Sequence, residues 1–249
     1  MSYSWAALVG NLALLLVVLV RGTMGGMLRR YPVFYAYIGF ALMTTAGGTA
    51  PAILLFGYAS RQYYYIYNVI GICFPLLQLW VLRDLYGRIV GNDKTAWRRL
   101  PRLLILLAAV TAPLAVEVFS LRRVNFFARY HLWALSLQAA ACVAVYRALG
   151  ARRELNPGRN VKGMLAGLSV MVAFQAINFG RFIFREETFQ IFAFFVPFIY
   201  SIALMAFSYT LWNYEPMVVA AMPEADLEER LQRINGQLKQ TARSLVLPQ

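Results

Sequence analysis

Long apolar stretches alternate with short polar connections along most of the chain. A helix needs about 20 apolar residues to cross the hydrocarbon core of a bilayer, because no water is present there to satisfy backbone groups. The pattern therefore predicts an all-α integral membrane protein in which residues 1–216 form a seven-transmembrane-helix bundle. The predicted spans are residues 5–20, 33–57, 65–82, 103–121, 130–149, 163–182 and 189–212.

Composition favours a membrane protein over a soluble domain. Of the 249 residues, 60% are hydrophobic and 14% are charged, whereas about a quarter of the residues in a soluble domain are charged. The formal net charge of +13 raises the alternative of nucleic-acid binding. Because the basic residues lie in short blocks between apolar stretches, they fit anionic lipid headgroups better. We expect the lipid bilayer, and no nucleic acid, among the partners.

The distribution of basic residues predicts the orientation in the membrane. If the N-terminus is outside, 18 of the 24 Lys and Arg residues fall on the cytoplasmic side, in line with the positive-inside rule. The C-terminus is then cytoplasmic. No Lys or Arg precedes Arg21, so we expect the first stretch to be a retained span and not a signal peptide. The short connections lead us to expect a bacterial inner membrane.

A polar tail, residues 217–249, follows the last apolar stretch. Residues 224–245 begin with acidic residues after Pro223 and predict an amphipathic helix. Its apolar positions follow a heptad seam, interrupted at Thr241 and weakened by Gly236. Two interpretations stay open: a helix that lies on the membrane or the cytoplasmic loops, and a helix that pairs with itself or with a helical partner protein. The partner-binding positions would be Leu227, Leu231, Ile234 and Leu238.

Ionisable groups inside the spans are candidates for a functional site, because burying a charge in hydrocarbon is costly. Glu117 is the only acidic residue within a predicted span and lies near the outer end of the fourth. His131, the only histidine, begins the fifth span on the same side. Arginines in the turn between them offer partners for Glu117. A structural ion pair and a ligand or proton-coupling site are both open.

Further polar residues gather in the predicted outer half of the bundle. On the sixth span they recur at intervals of three residues, which places them along one stripe of the helix. Interhelical hydrogen bonds that hold the spans together would explain such residues, and so would a small outward-facing ligand pocket. With Glu117 and His131, the predicted ligand-binding set comprises Arg61, Asn68, Gln138, Gln175, Asn178 and Arg181.

Several cofactor chemistries do not fit the sequence. A retinal Schiff base needs a lysine within a span, and all three lysines lie in connections or in the tail. Haem held between two histidines is excluded by the single His131, and the H-E-x-x-H signature of zinc proteases is absent. Cys73 and Cys142 both lie in apolar stretches. We therefore expect no cofactor, no metal and no enzymatic activity.

Three functional hypotheses follow from these features. The first is a non-enzymatic sensor or receptor-like bundle, in which an outward-facing polar site is coupled to the cytoplasmic helix. The second is a non-catalytic accessory subunit of a membrane complex, because aromatic-rich spans with few ionisable groups suit packing against other helices. The third is a small-solute transporter or channel, favoured by prolines within the spans. Architecture alone does not decide between them.

Overall fold

The described part of the chain is almost entirely helical and belongs to a membrane protein. The computed structural model describes residues 2–57, 60–91, 93, 97, 102, 104–106, 108–109, 126–152, 155–180, 189–216, 218–219 and 234–235. Within these residues, four helices are long and apolar enough to cross a membrane. They are Ala6–Met24, Pro32–Phe56, Arg61–Val90 and Trp133–Ala151. This confirms the membrane class that the apolar stretches predict, while the number of spans and their orientation stay predictions.

The described elements overlap the predicted spans except the fourth, residues 103–121, which lies mostly outside the described residues. A two-residue antiparallel strand pair joins the helices. In chain order the elements are α1 (Ser2–Met24), α2 (Met27–Arg30), α3 (Pro32–Thr44), a π-helical turn (Thr45–Thr49), α4 (Ala50–Phe56), α5 (Arg61–Val90), α6 (Phe126–Ala151), β1 (Leu155–Asn156), α7 (Gly158–Gly180), α8 (Phe189–Thr210) and β2 (Val218–Val219).

The π-helical turn lies where the sequence places two glycines just before Pro51. Proline has no backbone N–H and clashes with the preceding turn, so an α-helix cannot pass through it unchanged. The chain absorbs the defect by widening to a π turn over Thr45–Thr49. The Thr45 hydroxyl donates to the Ala41 carbonyl at 2.6 Å, which also accepts from the Thr45 backbone amide where the π turn begins.

The longest helix, α5, has 30 residues, although its apolar stretch, residues 65–82, is among the shortest. Polar turns extend it at both ends. Ser60 caps the beginning, where its hydroxyl accepts from the Tyr63 amide at 3.0 Å. Near the other end Arg88 donates to the Asp84 carboxylate at 2.8 Å, one turn away. Hydropathy measures only the part of the helix that suits hydrocarbon, so it underestimates the length of α5.

Glycines bring neighbouring helices close together. A Cβ atom on Gly163 would clash with the Thr210 side chain, and one on Gly167 would clash with the Phe207 ring. These two glycines form a G-x-x-x-G motif on α7, and it packs against α8 of the same chain. The rings of Phe207 and Phe34 meet edge to face at 5.1 Å between centroids, which joins α8 to α3 in the buried core.

Helices α5 and α6 run parallel. The space that a Cβ of Gly71 would take is filled by the His131 ring, and the Gln138 amide donates to Gln78. Both pairs are 60 residues apart in the sequence. A constant offset between contacting residues requires that the two helices point the same way. Helices α5 and α6 therefore both end on the same side of the bundle.

Arginines and aromatic rings meet at that side, which we name the basic end. Arg21, at the end of α1, donates to the Trp212 carbonyl at 3.0 Å and lies over the Trp212 ring. Arg88 lies over the Tyr31 ring at 4.6 Å. Burial raises the pKa of the Tyr31 phenol, and the charge of Arg88 opposes part of that rise. The guanidinium groups described with partners here are Arg21, Arg30, Arg83, Arg88, Arg152 and Arg159.

Candidate functional site

Four buried side chains from four helices form a polar layer within the bundle, which we name the amide layer: Tyr37, Gln78, Gln138 and Met171. Gln138 donates to the Gln78 carbonyl oxygen at 2.7 Å, and Gln78 donates to the Tyr37 hydroxyl at 3.1 Å. The Tyr37 hydroxyl donates in turn to the Met171 sulfur at 3.3 Å. Helices α3, α5, α6 and α7 are thereby joined at one level.

Three hydrogen bonds join the members of the amide layer to one another. An interhelical amide bond stabilises a membrane bundle, because the alternative is an unpaired polar group in an apolar medium. The oxygen Oε1 of Gln138 is buried, and no donor lies within hydrogen-bond distance of it among the described residues. The layer can therefore lock four helices together, and it can accept one further hydrogen bond at Gln138.

His131 lies two turns from Gln138 on α6, towards the end of the bundle opposite the basic end. Its ring is buried against the backbone of α5 at Gly71. The hydroxyl of the neighbouring Tyr130 donates to the Ile72 carbonyl at 2.7 Å, in the turn that Pro75 leaves one backbone donor short. His131 and Tyr130 thus attach α6 to the part of α5 that contains Pro75.

Some of the predicted ligand-binding residues form hydrogen bonds in the structure, others have a described position only, and others lie outside the described residues. Gln138 joins the amide layer, and the buried amide of Asn68 donates to Tyr64 O of its own helix at 2.7 Å. Arg61 is exposed at the first turn of α5, and Gln175 is half-buried on α7, one turn beyond Met171. Asn178 also lies on α7, and its side chain is outside the described part of the chain. Glu117 and Arg181 lie outside the described residues.

Three of the four members of the amide layer are absent from the predicted ligand-binding set, namely Tyr37, Gln78 and Met171. Gln78 is the only one of the three that carries a sequence signal, since a glutamine within an apolar stretch needs a partner. From the sequence, Gln78 falls in the inner half of its span and Gln138 in the outer half, whereas the structure places the two at the same level. In the sequence, Tyr37 and Met171 cannot be distinguished from other apolar residues of their spans. Their hydrogen bond depends on how α3 and α7 pack.

A junction ties the chain that leaves α8 to the beginning of α7. The buried Asn160 amide donates to the Thr210 carbonyl at 2.6 Å and to the Asn213 carbonyl at 2.8 Å. Its oxygen accepts from the Glu215 amide at 2.6 Å. Asn160 thereby satisfies backbone groups at the end of α8. Strands β1 and β2 then pair, with Leu155 opposite Val219. We name these contacts the tail junction.

Within the predicted amphipathic helix of the tail, residues 224–245, the structure describes only residues 234–235. Ile234 is helical there and exposed. Leu227, Leu231 and Leu238 lie outside the described residues, so the seam stays a prediction.

Two grooves open at the basic end. One, of about 440 Å³, is lined by Arg159, Ser208, Tyr209 and their neighbours on α8. The other, of about 300 Å³, lies beside α5 between Trp80 and Trp97. The sequence predicts neither groove: its polar residues indicate, as one of two interpretations, a pocket in the outer half of the bundle. Arginine and tryptophan at span ends are the signal that could have indicated them.

The described residues contain no group of three or more His, Cys, Asp and Glu side chains that could hold a metal ion. A search of protein-family models, curated proteins and solved structures finds no match. The fold and the site together define a helical membrane protein with a mutually bonded polar layer at its core.

Proposed function

We propose that this protein is a seven-span, non-enzymatic sensor or receptor-like bundle, with its N-terminus outside and its C-terminus in the cytoplasm. A small molecule or lipid would bind among polar groups in the half of the bundle opposite the basic end. Its binding would displace helices and change the position of the cytoplasmic tail. Lys and Arg concentrate at the basic end, which supports a cytoplasmic location for that end.

The parallel arrangement of α5 and α6 supports the seven-span count. Both helices end at the basic end, so an odd number of crossings must separate them. The apolar residues 103–121 lie between them in the sequence and provide one such crossing. With α1, α3–α4, α7 and α8, this makes seven.

The tail junction is the observation that carries the receptor hypothesis. Asn160 bonds the first turn of α7 to the chain that leaves α8, and β1 bonds to β2 within the first residues of the tail. A shift of α7 or α8 therefore reaches the tail through fixed hydrogen bonds. Gln175 and Asn178 lie on α7, so that helix joins the predicted binding region to the junction.

A thermal-shift screen of the purified full-length protein tests this function. We expect a ligand in a broad panel of small molecules and lipids to raise Tm of the wild type. Glu117→Ala and Arg181→Ala should abolish that rise, while Arg147→Ala, at an exposed position near the basic end, should leave it unchanged. A panel without any ligand-dependent shift, or equal shifts in all variants, would count against a receptor.

The amide layer supports a second function, an accessory subunit of a membrane complex. Gln78 and Gln138 bond to one another, as expected for a rigid bundle. Purification in a mild detergent separates the two functions. A partner that co-purifies in fixed stoichiometry supports the subunit, and a single monodisperse species supports the receptor.

The transporter hypothesis gains no specific support. Buried apolar side chains follow the amide layer towards the basic end, namely Leu82 on α5, Val145 on α6 and Leu168 on α7. A continuous polar path through these helices is therefore interrupted at this level.

A further inference from the structure

The exposed face of α8 changes its chemistry in order as it approaches the basic end. Met205 is half exposed, Tyr209 follows one turn later, and Trp212 lies just beyond the end of the helix. The face thus passes from an apolar side chain to aromatic rings, and then reaches Arg159 of α7. Together with Ser208 and Asn213 these residues line the groove of about 440 Å³, which we name the α8 groove.

This order matches that of a phospholipid in one leaflet, where acyl chains give way to glycerol and then to a charged phosphate. Tyrosine and tryptophan favour the headgroup level of a bilayer, because one part of each ring system is apolar and another is polar. Met205 would then contact an acyl chain and Arg159 the phosphate. The groove is open at the surface, as a bound lipid requires.

Two arginines lie at the polar end of the groove, Arg159 in its lining and Arg21 beside it. Arg159 lies over the Tyr209 ring at 3.9 Å and donates to the Tyr209 carbonyl at 3.1 Å. These contacts hold the guanidinium in place, and they engage one of its five N–H donors. Arg21 is fixed beside the groove by its bond to the Trp212 carbonyl. A nearby carboxylate, Glu215, accepts from the Arg159 backbone amide at 3.0 Å.

We propose that the α8 groove binds an anionic phospholipid from the leaflet at the basic end. The Arg159 guanidinium holds the lipid phosphate, and Met205 with Trp212 contacts the glycerol and the first part of the acyl chains. Charge complementarity selects an anionic lipid, because a zwitterionic headgroup carries its own cation beside the phosphate and gains less from the arginine.

Native mass spectrometry of the full-length protein tests this proposal. The protein is delipidated and then equilibrated with equal amounts of phosphatidylglycerol and phosphatidylcholine that have the same acyl chains. We expect the wild type to retain phosphatidylglycerol selectively. Arg159→Gln should lower that retention by about fivefold, the effect of one basic side chain at a membrane surface. Arg147→Gln removes an exposed charge at the same end outside the groove and should leave retention unchanged.

A second variant separates lipid binding from folding, because Arg159→Gln also removes a hydrogen bond to α8. Met205→Trp fills the apolar part of the groove at an exposed position, and it should lower retention of phosphatidylglycerol with every charge in place. Equal retention of both lipids by the wild type would overturn the proposal, and so would equal losses in Arg159→Gln and Arg147→Gln. Complete displacement of the lipid by millimolar glycerol 3-phosphate would also overturn it, since the groove would then be a site for soluble phosphates.

Discussion

Gly167→Leu is expected to lower the free energy of unfolding by about 1–3 kcal/mol or more, the cost of overpacking a tight contact. The first side-chain atom would already clash with the Phe207 ring. The rest of the leucine would force α7 away from α8 and disturb the core around Phe207. Thermal unfolding of the purified protein in detergent measures the effect.

Gly10→Leu provides the matched control. Gly10 is also within a long helix, but a Cβ atom there would have no neighbour within 4 Å. Leucine favours a helix over glycine by up to about 1 kcal/mol, so this variant should unfold at or above the temperature of the wild type. Equal stability of Gly167→Leu and Gly10→Leu would show that α7 and α8 do not pack closely.

Gln138→Leu is expected to destabilise the bundle by about 1–3 kcal/mol, because the Gln78 carbonyl oxygen loses its donor while it stays buried. The reverse variant, Gln78→Leu, should also be destabilising, since it removes the acceptor of Gln138 and the donor to Tyr37. The double variant should cost less than the sum of the two, because both partners of the bond are then apolar.

A double-mutant cycle from reversible unfolding measures this coupling. Gln62→Leu, at an exposed position in the first turn of α5, controls for the general effect of replacing glutamine. Additive effects of Gln78→Leu and Gln138→Leu would mean that the two amides do not bond to one another across α5 and α6.

The sequence predicts the helices well because the physics that forms them is local. A stretch of about 20 residues without charge can be recognised in the sequence without knowing which helices it contacts. The prolines that disturb a span can be recognised in the same way. The π-helical turn before Pro51 occurs where Gly47, Gly48 and Pro51 indicate a weak point. The predicted span, residues 65–82, is shorter than α5, because the last turns of the helix contain the charged pair Asp84–Arg88 and hydropathy detects only apolar residues.

The site is predicted less well because its contacts join residues that are distant in the sequence. Gln138 is in the predicted set, but its partner Gln78 lies 60 residues away, and only the parallel packing of α5 and α6 brings them together. Asn160 gives no sign that it caps a helix ending 50 residues later. The grooves at the basic end likewise depend on which helix ends meet, which single-chain patterns do not specify.

Thiol labelling of single-cysteine variants in intact cells tests whether the chain crosses the membrane as proposed. In a background of Cys73→Ser and Cys142→Ala, cysteines are placed at Gln62, Arg29 and Asn235, all exposed positions. A membrane-impermeant maleimide should label Gln62→Cys from outside, and it should label Arg29→Cys and Asn235→Cys only after the cells are permeabilised. Labelling of Asn235→Cys from outside, or of Gln62→Cys and Arg29→Cys from the same side, would contradict seven spans with a cytoplasmic basic end.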